Sequence, residues 1–157
     1  MSTQTTPIKE FRPINYLDFE HVMLNMVNFH QESEYRKFDL SLSKCREIFR
    51  NCIEEDDHFG FIALDEEGFC GLMLGCYSEY YFGGDRIASD LLLYVKPNKR
   101  NGTTATRLIR KFEKWAELNI CSAVQISVTS GINTDRTVAF FKKLEYHYKG
   151  TILQKGM

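Results

Sequence analysis

The chain has 157 residues, 43% of them apolar and 26% charged, with 20 basic and 21 acidic side chains and a formal net charge of −1. That suits one compact domain with its own core, and the near-neutral balance excludes a global field for nucleic acid, so any basic site has to be local. No apolar run approaches membrane-spanning length, and the start lacks the charged-then-apolar pattern of a secretory leader.

Residues 1–8, beginning "MSTQTTP", are too polar and unpatterned to order themselves and are expected to be flexible, leaving 9–157 as a single domain. "EFRPI" is a short strand candidate. Phe19, Val22, Met23, Met26, Val27 and His30 then recur at helical spacing, with Asn15 as the N-cap and Asp18 in the first turn. After "ESEYRKFD", Ser41 or Ser43 caps a second helix whose buried face includes Cys45, Ile48, Phe49 and Cys52. "HFGFIALD" and "GFCGLMLGCYSEYYF" change to strand composition, joined by the turn "DEEG". "RIASDLLLYVKP" is a third strand of this group, stopped by Pro97. "GTTATRLIRKFEKWAELN" returns to helical period, with Leu108, Ile109, Phe112 and Trp115 on one side. "SAVQISVT" reads as a buried strand, "NTDRTVAFFKKL" as a short helix and "YHYKGTILQK" as a last strand. The order β–α–α–β–β–β–α–β–α–β gives a mixed sheet covered by helices, an α/β or α+β domain.

The five cysteines form no C-x-x-C pair, and no histidine stands at ligand spacing with a carboxylate or another histidine. Neither a disulfide framework nor a metal site is expected, and a reducing, cytoplasmic setting fits. "YSEYYFGGD", Tyr77 to Asp85, is either a hairpin turn with packed tyrosines or a lid beside a ligand.

The loop after "LLLYVKP" carries the chemistry. A helix starting at about Thr103 presents backbone N–H groups without partners inside the helix, aligned with its dipole, and so can bind an anion. Gly102 allows a tight approach, Thr103, Thr104 and Thr106 add hydroxyls, and Ala105 keeps the surface flat. Arg100 can take phosphate oxygens in pairs. The plain alternative is a strand–helix connection with solvated basic residues. There is no G-x-x-x-x-G-K-[ST] and no G-x-G-x-x-G.

"LLLYVKPNKRNGTTATRLI" resembles the acetyl-CoA-binding segment of the GNAT acetyltransferases, R/Q-x-x-G-x-G/A after a strand ending in a hydrophobic–Tyr–Val–x–Pro stretch. Arg100 takes the basic position and Ala105 the last small one, while Thr103 replaces the first glycine. "NTDRTVAFFKKLEY" is similar to the family's later "N-x-x-A-x-x-F-Y-x-K-L-G-F" segment. "HQESEY" and "KGTILQK" resemble the small GNAT proteins carried by bacteriophages. The resemblance implies a GNAT-like mixed, mostly antiparallel sheet of about six or seven strands with about four helices. It also implies acetyl-CoA as co-substrate. The pantetheine arm would pair with Leu93, Tyr94 and Val95, the diphosphate would lie on Arg100, Asn101, Gly102, Thr103, Thr104 and Ala105, and Asn133 would offer its amide to the arm. Pairing of two copies through their final strands is a further expectation.

The implied reaction is acetyl transfer to an amine-bearing protein or small molecule. A neutral lysine at pH 7 costs about 4–5 kcal/mol, whereas an α-amine costs only about 1 kcal/mol. Asp90 is the base candidate, if a bulge corrects its spacing by one residue; an exposed edge carboxylate is the alternative. Glu79 on the preceding strand is a weaker candidate, and Glu32 after the first helix is either another or simply solvated. Phe141 stands where many GNAT enzymes carry a proton-donating tyrosine, and Glu145 where a glycine is usual. Tyr94, Tyr146 or water would then donate the proton, or the protein is a catalytically weak or inactive binder of CoA or a partner protein.

Overall fold

The computed structural model describes residues 6–100 and 102–157. Residues 1–5 of the expected flexible N-terminus, and Asn101 of the expected anion site, lie outside the described residues. Strand β1 (Ile8–Pro13) is an edge strand, where its terminal proline is tolerated. Asn15 then opens a helical turn reciprocally: its Oδ1 accepts from Leu17 N–H at 2.9 Å, and Asp18 Oδ2 accepts from Asn15 N–H at 2.8 Å. A 3-10 turn (Tyr16–Asp18) runs directly into α1 (Phe19–Glu32). Ser41 caps α2 (Leu42–Glu54), its Oγ accepting from Lys44 N–H at 3.2 Å.

Strands β2 (His58–Asp65), β3 (Gly68–Glu79) and β4 (Arg86–Val95) form the antiparallel meander. Gly68 turns the β2–β3 hairpin with φ 111°, a conformation side chains disfavour. A crossover through α3 (Thr104–Leu118) brings β5 (Cys121–Gln125) parallel to β4, and α4 (Thr134–Lys143) follows. The sheet order is β1-β2-β3-β4-β5.

Alternation along the strands divides the core between the two faces. Ile62, Leu72, Leu92 and Tyr94 pack under Val22, Met26, Phe49 and Cys52 of α1 and α2. Phe59, Met73 and Ala88 pack under Leu108, Ile109, Phe112 and Ala116 of α3. A Cβ at Gly75 would stand 2.4 Å from Phe112 Cε2, so the glycine is what lets α3 lie this close to the sheet.

Two expectations are corrected and one open alternative is decided. Among the described residues the sheet has five strands, because "YHYKGTILQK" forms none. Glu145 adopts φ 70° after α4, and the amide of Tyr146 returns to Phe141 O at 3.1 Å, a left-handed helix end that turns the chain off the sheet. Residues 147–157 then run exposed. The "SAVQISVT" strand ends at Gln125 and is an edge rather than a buried strand, with Ser122 and Ala123 exposed for want of a neighbour. Of the two readings of Tyr77 to Asp85 the hairpin turn holds: residues 77–79 end β3, and the tip beyond them is closed by Tyr80 N–H to Asp85 O at 2.8 Å. Tyr77 packs against Trp115, but Tyr81 and Phe82 are exposed.

Candidate functional site: a fork between two strands

The pairing of β3 with β4 slips by one residue: Leu74 faces Leu92, but Gly75 faces Asp90. Leu91 is therefore a bulge, the device that bends a strand and re-aims its side chains. On the other side, β4 pairs with β5 only from Arg86 to Ser89. Beyond Ser89 the two strands diverge. Asp90 sits in the fork, its Oδ1 accepting from Ser127 N–H at 2.9 Å. Burial pushes the Asp90 carboxyl above the ordinary range, and the bond from Ser127 only partly offsets it.

The fork opens into a cleft of about 520 Å3. Its walls include Asp90, Leu93 and Ser127 from the fork, Thr137 and Phe141 from α4, and Tyr35 beyond α1. The backbone of β4 faces this gap selectively. Lys96 N–H donates to Cys70 O at 2.8 Å, so in the antiparallel register Leu72 and Tyr94 also exchange bonds. The intervening residues, Leu93 and Val95, turn their N–H and C=O groups away from β3 and towards the fork.

From Val95 the chain enters a 3-10 turn (Pro97–Lys99) and then α3. Lys99 of the turn and Arg100 just after it are both engaged by carboxylates. Lys99 Nζ lies 2.8 Å from Asp65 Oδ2, which is fully buried and makes no aligned hydrogen bond, so that contact is one of charge. It lies 2.8 Å from Glu67 Oε2 as well. Burial pushes Asp65 up, but the Lys99 ammonium, the Cys70 thiol and the Glu67 N–H together outweigh it and hold the carboxyl below its usual value. Arg100 donates from Nη1 and Nη2 to the two oxygens of Glu32 at 2.5 and 2.9 Å, and from Nε to Val95 O at 2.7 Å. This bidentate bond holds the Glu32 carboxyl below its usual value against the opposing effect of burial. Thr103 makes no side-chain cap to α3, and Thr104 is buried against Gly71. The first N–H groups of a 15-residue helix therefore point along its axis without a partner inside it.

The sequence matches no protein-family model and no curated protein. Solved structures do resemble this one. A GNAT family acetyltransferase from Staphylococcus aureus superposes with a TM-score of 0.61 at 17% identity, covering 94% of this chain and 98% of its own. An aminoglycoside 6′-N-acetyltransferase from Acinetobacter haemolyticus gives 0.72 at 14% identity, covering 94% and 97%. A protein named a transcriptional regulator, from Bacillus halodurans, gives 0.75 at 16% identity, covering 96% and 100%. The fold is that of the GNAT acetyltransferases. At these identities the likeness is one of fold.

Within this GNAT fold the expected residues separate into groups. Asp90 and Leu93 line the fork, and Val95 turns its backbone towards it. Tyr94 lies on the opposite face, 5% exposed and stacked on Phe69. With Glu32 it lines a different groove, of about 700 Å3, along α1. Gly102, Thr103, Thr104 and Ala105 lead into and open α3. Asn133 is the N-cap of α4, exposed in a left-handed conformation with φ 44°, and its side chain makes no capping bond. Glu79 pairs with Arg86 at the far end of the hairpin, away from the fork, and none of residues 77–85 lines the fork. Glu32 is an ion-pair partner rather than a solvated carboxylate. Tyr146 commits its hydroxyl to Glu113 Oε2 at 2.8 Å. Sequence reasoning missed Tyr35, whose hydroxyl meets that of Thr129 in the cleft wall; no local pattern marks it. Among the described residues no cluster of three His, Cys, Asp or Glu could hold a metal, and no helix is long and apolar enough to cross a membrane.

Proposed function

We propose that the chain is an acetyl-CoA-dependent N-acetyltransferase acting by direct transfer to an amine. The observation that carries this reading is the fork, a bulged strand that lacks a partner strand beyond Ser89, beside a carboxylate and continuous with the start of α3. The pantetheine arm would take the place of a strand against Leu93 and Val95. The diphosphate would lie on the first amides of α3 and on Arg100. An N–H of β4 would face the oxyanion as the amine attacks the thioester carbon. Asp90 would take the amine proton directly or through water, its raised pKa making it a better base near neutrality. The C–S bond then breaks, and the thiolate, with an unperturbed pKa near 8.5, needs little help to leave.

Small-molecule, α-amine and lysine acceptors all fit this reading. The Acinetobacter protein is, by name, an enzyme for an amine of an aminoglycoside. A cytoplasmic setting, pairing of two copies and kinship with the bacteriophage-borne GNAT proteins belong to the same proposal and rest on the sequence alone. A second reading, a CoA or partner binder without catalysis, is favoured by Phe141, which is buried in the cleft wall and has no proton to give.

Saturating CoA should raise the melting temperature by about 5 °C or more, and Arg100→Ala should remove most of that shift. Thiol release from acetyl-CoA over a panel of amines separates the readings. Protein-dependent release sinks the binder, whereas binding without transfer to any amine sinks the enzyme.

A further inference from the structure

Each of the three guanidinium nitrogens of Arg100 is engaged by its own protein. Two of its nitrogens hold Glu32 at the end of α1, and the third holds the carbonyl of Val95. That carbonyl belongs to the edge that faces the fork. Arg100 therefore occupies part of the backbone an extended ligand would pair with, while Glu32 occupies the face of the guanidinium a phosphate would use. Both side chains are about one-third exposed, at 32% and 28%, so solvent and ligands reach the pair. The ring of Tyr94 lies beneath Arg100, 5.3 Å from its central carbon, and gives the cation a second surface on which to turn.

We propose that Glu32, Arg100 and Val95 form a latch across the cofactor edge, opened when the diphosphate of the thioester carrier replaces the Glu32 carboxylate on Arg100. This inference rests on the acetyl-CoA reading above. It makes Glu32 an internal competitor for the ligand, so the measured affinity is the intrinsic one reduced by the fraction of molecules with the latch open. A carrier with a diphosphate exchanges one anion for another. A carrier without one has to open the latch and gains nothing from Arg100 in return.

Titration calorimetry with CoA and with pantetheine, which is uncharged, tests this on wild type, Glu32→Gln and Arg100→Ala. Glu32→Gln should tighten CoA by about fivefold. It should tighten pantetheine as well, which rules out a mere change of net charge as the cause. Arg100→Ala should weaken CoA by about tenfold or more yet tighten pantetheine, because it removes the diphosphate contact and frees Val95 together. The latch is overturned if Glu32→Gln leaves CoA affinity unchanged or lowers it, or if Arg100→Ala fails to tighten pantetheine. Those results, with CoA still bound by wild type, would make Glu32 a brace for the loop and leave the acetyl-CoA reading standing. Failure of every protein to bind either ligand would remove that reading, and the latch with it.

Discussion

Asp90 is held at the fork by one hydrogen bond and pushed towards its neutral form by burial. The direction of that shift fixes a pH dependence. Between the ordinary carboxylate pKa and the raised one, the folded protein binds more protons than the unfolded chain, so stability falls as pH rises through that window. Asp90→Asn keeps an oxygen for Ser127 N–H and removes the charge from this half-buried position. The variant should melt above wild type at neutral pH, with the difference disappearing below the usual carboxylate range, near pH 4. Acetyl transfer should meanwhile fall by about a hundredfold or more. Melting curves from pH 3 to 8, beside thiol release, check both. A variant that melts lower at neutral pH would make Asp90 a structural carboxylate.

At the scale of elements, α3 does two things: its apolar face closes one side of the core, and its N-terminus stands at the end of β4. Gly75 and Gly71 set its height over the sheet. Gly75→Ala forces a methyl group against Phe112 and towards Ser89 O, which it would approach to 3.1 Å. Such overpacking should cost about 1–3 kcal/mol, seen as a melting temperature lower by about 5 °C. An unchanged melting point would show that the helix can lift. The helices were legible in the sequence because each carries its own apolar stripe and, for α2, its own cap at Ser41. The meander was legible from its turn residues. The strand after α4 was not: the alternation in "YHYKGTILQK" satisfies a local rule, but pairing needs a neighbour, and the left-handed turn at Glu145 sends the chain elsewhere. The site divides the same way. The helix start proposed to hold the diphosphate has a local signature. The partners of Arg100 do not, because Glu32 lies 68 residues away and only the fold brings the end of α1 to this loop.

Over the whole molecule, the apolar interior is complete without the tail. One half of the core lies under α1 and α2 and the other under α3, with Phe141 and Tyr146 closing the second half. Beyond Tyr146 every residue is exposed, Ile152 at 73% and Leu153 at 90%. Little apolar surface leaves water there, so little stability resides there. Removal of residues 149–157 should change stability by less than about 1 kcal/mol and melting by no more than about 3 °C. Yet Ile152 is part of the wall of the fork cleft. The same truncation should therefore alter CoA affinity or acetyl transfer while melting stays constant, a separation that calorimetry and thiol release read on one preparation. A loss of more than about 5 °C in melting would show instead that the tail packs as a structural element, and the core would then extend past α4.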